Sequence, residues 1–222
     1  MSVASPLRYV ALGDSYTIGT ALPLESDRWP DRLVVALSGA SPELELVANL
    51  GVNGFTSRDL IEVELPRVEG LRPDFLSILV GVNDVVQGVP PGTYRVNAAR
   101  SLDRLLDVVA ANRLVTIATP DYTVTPQGAS YGDPAIQASG IRTVNSILRD
   151  LATDRAIAFV DIHDLSLRAA GDRSLVAADG LHPSGAQYAL WVERIAPVVA
   201  RLIAREAVRS GEAPPRDGPA RP

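Results

Sequence analysis

Lysine and cysteine are both absent from this chain of 222 residues. Without cysteine there can be no disulfide, no thiol nucleophile and no cysteine-ligated zinc site. Without lysine there can be no Schiff base and no phosphate-binding P-loop of the lysine-containing type. Any catalysis must therefore use hydroxyl, carboxyl or imidazole groups, and the 2 histidines are the scarcest of these.

Charge and apolar patterning narrow the class of protein further. All 21 basic residues are arginines and 26 residues are acidic, which gives a formal net charge of −5. This excess of acid argues against a nucleic-acid partner. No apolar run approaches the roughly 18 residues that a transmembrane helix needs. Residues 1–6 lack the basic and apolar segments of a secretory signal, so we expect a cytoplasmic protein.

Length and composition predict one folded domain followed by a tail. A chain of this size commonly forms a single α/β unit with a sizeable core. From Gly211 onwards the sequence is rich in proline, glycine and arginine and has almost no apolar side chain to bury. We therefore predict a domain over residues 1–208 and a disordered tail over residues 209–222.

Apolar runs that alternate with helical patterns predict an α/β fold. The predicted strands cover residues 7–12, 44–48, 75–80, 114–118 and 156–160. The predicted helices cover residues 31–37, 57–65, 93–111, 141–151 and 184–205, and Pro66 should end the second while Pro197 kinks the last. Such alternation indicates a parallel sheet covered on both faces. Residues 119–134 read as a long irregular loop, which in a compact domain is usually functional or mobile.

Polar residues suited to catalysis follow the predicted strands. Ser15 comes shortly after the first strand, Gly54 after the second and Asn83 after the third, whereas Asp179 and His182 lie in the last connection. Open parallel sheets bind ligands at the carboxyl ends of their strands. We therefore expect these five residues to meet at one edge of the sheet.

These residue types can together perform acyl transfer. Ser15 is the candidate nucleophile, His182 the base that takes its proton and later returns it, and Asp179 the group that orients the imidazole. The candidate donors to the oxyanion are the backbone N–H groups of Ser15 and Gly54 and the side-chain amide of Asn83.

Each motif also has a purely structural interpretation. The Asp179-Gly180 pair is typical of a surface turn, and Pro183 can introduce a helix. Asn83 can cap a helix, and Gly54 can form the turn before one. The order of the motifs, each at the end of a strand or in the last connection, is what favours catalysis.

Four sequence blocks carry a resemblance to a known family. They are Gly13-Asp14-Ser15-Tyr16 with Gly19, Asn53-Gly54, Gly81-Val82-Asn83-Asp84 and Asp179-Gly180-Leu181-His182-Pro183. In these blocks the chain resembles the SGNH, or GDSL, hydrolases, with Tyr16 where leucine is commoner. The resemblance implies a three-layer α/β/α sandwich with a flavodoxin-like five-stranded parallel sheet. It also implies hydrolysis of esters or thioesters without metal or cofactor, with Ser15, Asp179 and His182 as the triad and Ser15, Gly54 and Asn83 as the oxyanion hole.

Aromatic residues near the strand ends are candidates for a substrate pocket: Tyr16, Phe55, Tyr122 and Tyr131, with Trp29 as a further possibility. Two of these tyrosines lie in the 119–134 loop, so we expect that loop to govern the choice of substrate. The second histidine, His163, lies between acidic residues after the fifth strand. A capping or supporting role is favoured there over metal binding, because a second histidine is missing.

Other functions remain open on the sequence alone. Within the hydrolases, a carbohydrate O-acetyl esterase is the main alternative to a general serine esterase. A non-catalytic flavodoxin-like binding module should have lost one of the catalytic residues, and none is missing here. Metal-dependent phosphoester hydrolysis would use Asp14, Asp161, His163 and Asp179. The predicted partner is a small acyl ester or thioester, whereas the sequence does not specify acyl length or oligomeric state.

Overall fold

The computed structural model describes residues 5–40 and 42–209, with side chains described as far as residue 204. Its five strands are β1 (Leu7–Gly13), β2 (Leu44–Asn49), β3 (Phe75–Leu79), β4 (Leu114–Ile117) and β5 (Ala158–Val160). They pair in parallel in the order β2-β1-β3-β4-β5. This is the strand order of flavodoxin-like sheets, and it confirms the predicted fold class.

Helices cover both faces of this sheet. Those in the described ranges are α1 (Ser15–Ile18), α2 (Trp29–Ala36), α3 (Ser57–Asp59), α4 (Leu65–Leu71), α5 (Val82–Val86), α6 (Pro91–Leu106), α7 (Pro134–Asp154), α8 (His163–Ser166) and α9 (Gly185–Arg209). None of them is long and apolar enough to cross a membrane.

The buried side chains of β1 show why the sheet needs cover on both sides. Tyr9 and Ala11 belong to one buried cluster, which includes side chains of α2 and α9. Val10 and Leu12 belong to the other, which includes side chains of α4, α6 and α7. Successive strand residues point to opposite faces, so an uninterrupted apolar strand supplies both layers of core.

The segment after Ser57 departs from the predicted helix. The sequence predicts that Pro66 ends the helix at residue 65, but the chain continues through α4 to Leu71. Residues Leu60–Glu64 form a π-helical turn in which the Leu65 N–H donates to the Leu60 carbonyl five residues earlier. Pro66 then lies in the first turn of α4, directly after the π-helical turn, and the helical segment continues through the proline.

Other helix boundaries also differ from the prediction. The helix predicted over residues 93–111 ends at Leu106, and α7 begins at Pro134 rather than at residue 141. The carboxylate of Asp133 accepts hydrogen bonds from two N–H groups of the first turn of α7, so a side-chain cap sets this start. Pro197 lies inside α9. The predicted tail, residues 209–222, lies outside the described residues apart from Arg209.

Candidate active site

The turn from β1 into α1 places Ser15 at the carboxyl edge of the sheet. Asp14 caps α1, because its Oδ1 accepts the Tyr16 N–H at 3.0 Å. Gly13 has a φ of +149°, and a Cβ there would lie 2.2 Å from the carbonyl oxygen of Leu79 in β3. The turn is therefore packed directly on the neighbouring strand, and only glycine fits at its start.

The loops after β2 and β3 bring Gly54 and Asn83 to the same edge. The Asn83 amide nitrogen donates to the Phe55 carbonyl oxygen at 2.9 Å. A carbonyl can only accept, so this contact fixes the orientation of the amide and leaves its second N–H free. Asp84 accepts the N–H of Ser57 at 2.8 Å and its hydroxyl at 2.5 Å, and so joins the two loops.

His182 and Asp179 form a close hydrogen-bonded pair. Asp179 Oδ2 lies 2.5 Å from His182 Nδ1, and Asp179 Oδ1 accepts the N–H groups of Leu181 at 2.9 Å and of His182 at 3.0 Å. Partial burial opposes ionisation of Asp179, but the hydrogen bonds from the imidazole and from these two N–H groups outweigh it and lower its pKa. The ionised carboxylate holds the proton on Nδ1, which leaves Nε2 as the basic nitrogen.

Neighbouring groups hold the imidazole in place. The Tyr16 ring lies 5.8 Å from the His182 ring, centroid to centroid, and the Tyr188 hydroxyl donates to the Tyr16 carbonyl at 2.9 Å. The Ala177 N–H donates to the His182 carbonyl at 2.7 Å. Tyrosine in place of leucine after the serine thus places an aromatic ring beside the imidazole, tilted by 58° to it.

One cavity of about 260 Å³ opens at this edge of the sheet. Its lining residues are Ser15, Tyr16, Asn53, Gly54, Val82, Asn83, Val86, Tyr122, Tyr131, Leu181 and His182. Four of the five predicted site residues therefore line one space, and the fifth, Asp179, binds His182 from behind. No hydrogen bond joins Ser15 to His182 among the residues that the structure describes, and such bonds are often long without substrate.

Three of the four aromatic candidates line the cavity. Phe55 is not among the lining residues; its backbone carbonyl orients Asn83 instead. Trp29 is fully buried in the core between the sheet and α9. Tyr122 is held by a hydrogen bond from its hydroxyl to Gln137 at 2.9 Å, and Tyr131 packs edge-on against it with ring centroids 5.7 Å apart.

The 119–134 loop also contacts the turn that carries the histidine. The Gln127 N–H donates to the Gly180 carbonyl at 3.0 Å. Residues Gly128–Tyr131 form a short 3₁₀ turn, so the loop is more ordered than its composition suggests. The loop therefore both lines the cavity and supports the Asp179–His182 turn.

His163 lies in a separate arrangement of hydrogen bonds. Its side-chain Nε2 is 3.4 Å from Asp121 Oδ2. Its backbone N–H donates to Asp161 Oδ1 at 3.0 Å. Burial works against ionisation of Asp121, but hydrogen bonds from His163 and Thr123 lower the pKa of its carboxyl. Among the described residues no cluster of three or more histidine or acidic side chains could hold a metal ion. The contacts of His163 with Asp121 and Asp161 are what a supporting role in the fold requires.

Sequence reasoning missed one polar residue close to the candidate nucleophile. Glu64 has no exposed surface, and its Oε2 accepts the Gly13 N–H at 2.9 Å. A glutamate between valine and leucine in a helical segment carries no sequence signal that separates it from a solvent-facing residue. The cavity-lining residues Asn53, Val82, Val86 and Leu181 were likewise not singled out as pocket residues.

A cavity at the carboxyl edge of a parallel sheet is where α/β folds of this kind usually bind their ligands. The chain belongs to the GDSL-like Lipase/Acylhydrolase family, whose model matches residues 11–190. It is therefore an enzyme that hydrolyses ester bonds. No curated protein matches the chain.

Solved structures share this fold. The acetylxylan esterase of Geobacillus stearothermophilus has a TM-score of 0.63 at 21% identity, over 91% of this chain and 96% of its own. The lipase/acylhydrolase of Enterococcus faecalis has a TM-score of 0.70 at 20% identity, over 88% of this chain and 96% of its own. An alpha/beta hydrolase from the metagenome of Lake Arreo, Spain, has a TM-score of 0.66 at 22% identity, over 90% and 96%. At these identities the similarity concerns the fold.

Proposed function

We propose that the protein is a serine esterase that works through a Ser15–His182–Asp179 triad and an acyl-enzyme intermediate. The observation that carries this proposal is the shared cavity: Ser15 and His182 line it together with Gly54 and Asn83, and Asp179 holds the imidazole. A nucleophile, an oriented base and a set of N–H donors around one space are what acyl transfer requires.

The reaction follows from the positions of these groups. Ser15 Oγ attacks the ester carbonyl carbon while His182 Nε2 takes its proton. The bond to the leaving alcohol then breaks, and the alcohol takes that proton from Nε2. Water adds to the acyl-enzyme, gives a proton to Nε2, and the acid leaves as the proton returns to Ser15. Asp179 stays ionised and stabilises the imidazolium in both halves of the cycle.

Three N–H donors serve the oxyanion in this proposal. They are the backbone groups of Ser15 and Gly54 and the free N–H of the Asn83 amide. Gly54 has a φ of +85°, and a Cβ there would meet no protein atom within 4 Å. Glycine is needed there for its backbone conformation rather than for packing space. Because these donors polarise the carbonyl and His182 supplies the base, the proposed chemistry requires no metal ion.

The cavity favours a short acyl group. Its volume of about 260 Å³ lies just below the roughly 300–1,000 Å³ of ordinary small-molecule pockets. Apolar side chains such as Val82, Val86 and Leu181 line it beside the donors. An acetylated carbohydrate is the second candidate substrate, because a small acyl site suits acetyl esters and the Geobacillus stearothermophilus neighbour is an acetylxylan esterase.

Assays on a matched set of substrates test this proposal. Nitrophenyl esters of increasing acyl length, an acyl-CoA and an acetylated xylo-oligosaccharide separate the acyl preference from the leaving-group preference. We expect kcat/KM to be highest for short acyl groups. A peak at long acyl chains, or the absence of turnover on every ester, would contradict the proposed substrate class.

Asn83→Ala should lower kcat by roughly 10²–10³ with a smaller change in KM, because an oxyanion donor acts most strongly in the transition state. Steady-state kinetics on a short nitrophenyl ester measure both constants. Asn53→Ala removes an amide that lines the same cavity but is not one of the three proposed oxyanion donors. It should therefore lower kcat much less than Asn83→Ala does. A raised KM at unchanged kcat would instead make Asn83 a binder of the ground-state substrate.

Tyr131→Ala should shift the acyl preference toward longer chains, because it removes the partly exposed aromatic wall of the cavity. We expect the ratio of kcat/KM for a medium over a short acyl ester to rise about tenfold, the scale that pocket methylenes set. Ile136→Ala is the matched control, since this side chain is more exposed and does not line the cavity. An unchanged ratio would show that Tyr131 does not bound the acyl group.

A further inference from the structure

The peptide unit of Gly13 connects the two loops that meet at the cavity. Its N–H donates to Glu64 Oε2 at 2.9 Å, and its carbonyl accepts the Val52 N–H at 3.2 Å. Val52 begins the turn that carries Gly54, because the Phe55 N–H donates to the Val52 carbonyl. A shift of Gly13 would therefore move both Ser15, which is two residues later, and the turn that carries Gly54.

The acceptor of the Gly13 N–H is the Glu64 carboxyl. On the side of β3 the turn packs so closely that a Cβ at Gly13 would overlap the Leu79 carbonyl. A buried backbone donor without a partner costs about as much as a lost hydrogen bond. Glu64 is thus the side chain that accepts this hydrogen bond. It also sets the distance between the turn after β1 and the helical segment that carries Glu64.

The placement of Glu64 is unusual for a carboxyl group. It is fully buried, its Oε1 has no hydrogen-bond partner, and it forms no ion pair among the described residues. Its pKa is raised to about 8, chiefly by burial and also by the nearby Asp14 and Asp59, against the hydrogen bond from Gly13 and the charge of Arg67. Burying a carboxyl group without an ion pair lowers the free energy of unfolding. A residue that carries this cost is expected to contribute to function.

The π-helical turn Leu60–Glu64 explains how a glutamate comes to lie there. The extra residue in this turn, closed by the hydrogen bond from Leu65 to Leu60, alters which side chains of the segment face the sheet. Leu60 and Leu65 are both buried in the cluster that also contains Val10 and Leu12 of β1. Single π-turns of this kind often occur at functional sites.

We propose that Glu64 is a positioning residue for the nucleophile: its buried carboxyl accepts the Gly13 N–H and thereby fixes the turn that aims Ser15 at the ester carbonyl. This inference rests on the proposed role of Ser15. Glu64 acts through Gly13 and does not touch the substrate.

Two conservative substitutions separate the reach of the side chain from its charge. Glu64→Gln keeps the chain length and an acceptor oxygen and resembles the protonated acid that burial favours. Glu64→Asp keeps the carboxyl but shortens the side chain by one methylene, which withdraws it from Gly13. The same pair of changes at Glu62, which is exposed on the same segment, provides the matched control.

The readouts are the rate at which a small organophosphonate labels Ser15 and the kcat and KM for a short nitrophenyl ester. We expect Glu64→Asp to slow labelling and to lower kcat by about 10- to 100-fold with KM nearly unchanged, since small misplacements of a reacting group carry such losses. Glu64→Gln should keep both rates within about threefold of the parent, because the hydrogen bond survives. Both Glu62 variants should match the parent.

Thermal unfolding of each variant distinguishes positioning from stability. If Glu64→Asp is less stable but labels at the parental rate while folded, Glu64 is only a structural residue and the proposal is overturned. If Glu64→Gln loses as much rate as Glu64→Asp, the charge matters rather than the reach, which also overturns it. A parent protein that is not labelled at Ser15 at all would instead refute the proposed function.

Discussion

Ser15→Ala should abolish ester hydrolysis, with a loss in kcat on the order of 10⁶, because it removes the hydroxyl on which the acyl-enzyme forms. His182→Ala should cost about as much, since an unassisted serine hydroxyl is a poor nucleophile. The double variant should be little worse than either single one, because the members of a triad act as a unit. Turnover of a short nitrophenyl ester and labelling by an organophosphonate measure these losses.

The chain offers its own control for the histidine. His163 is the other histidine of the sequence, and its contacts are with Asp121 and Asp161 rather than with the cavity. His163→Ala should therefore retain catalysis, and circular dichroism should show that every variant is folded. If Ser15→Ala keeps more than about a tenth of parental turnover, the assignment of the nucleophile is wrong, given the losses expected for a triad member.

The sheet and the meeting of the site residues could be predicted because both depend on local sequence. The strands are short apolar or, in β2, alternating runs bounded by glycine, proline or polar residues, and parallel strands direct their carboxyl ends to one edge. The positions of Ser15, Gly54 and Asn83 follow from that rule, and these residues line one cavity with His182 in the structure. The hydrogen bond from His182 Nδ1 to the Asp179 carboxylate is also local, since Asp179 lies only three positions before His182 in the chain.

The parts that could not be predicted depend on contacts between distant segments. Pro66 continues the helical segment rather than ending it, because a π-turn comes just before it. Glu64 is buried because it meets Gly13, 51 residues earlier in the chain. Phe55 contributes to the site through its backbone carbonyl, which accepts the hydrogen bond from Asn83, and not through its ring. Sequence patterns describe only side chains. Local periodicity has no information on any of these pairings.

Asp179→Asn is the most selective test of the triad, because it preserves the shape of the side chain but replaces an ionised acceptor oxygen with a neutral NH₂ donor. Asp179 Oδ1 accepts two backbone N–H groups, from Leu181 and His182. In the variant the amide oxygen must stay at that position, because an amide NH₂ cannot accept hydrogen bonds. The NH₂ group then takes the place of Oδ2, which lies 2.5 Å from His182 Nδ1 in the parent.

A donor at that place changes the tautomer of the imidazole. Nδ1 must now accept a hydrogen bond, so the ring proton moves to Nε2, where it blocks the nitrogen that should take the proton of Ser15. We expect kcat to fall by about 10⁴ while KM and the folded structure are retained. Asp161→Asn and Asp164→Asn change acids near the other histidine, and they should lower kcat far less. Near-parental rates in Asp179→Asn would mean that another acid orients His182, and equal losses in all three variants would point to a general charge effect rather than to the tautomer.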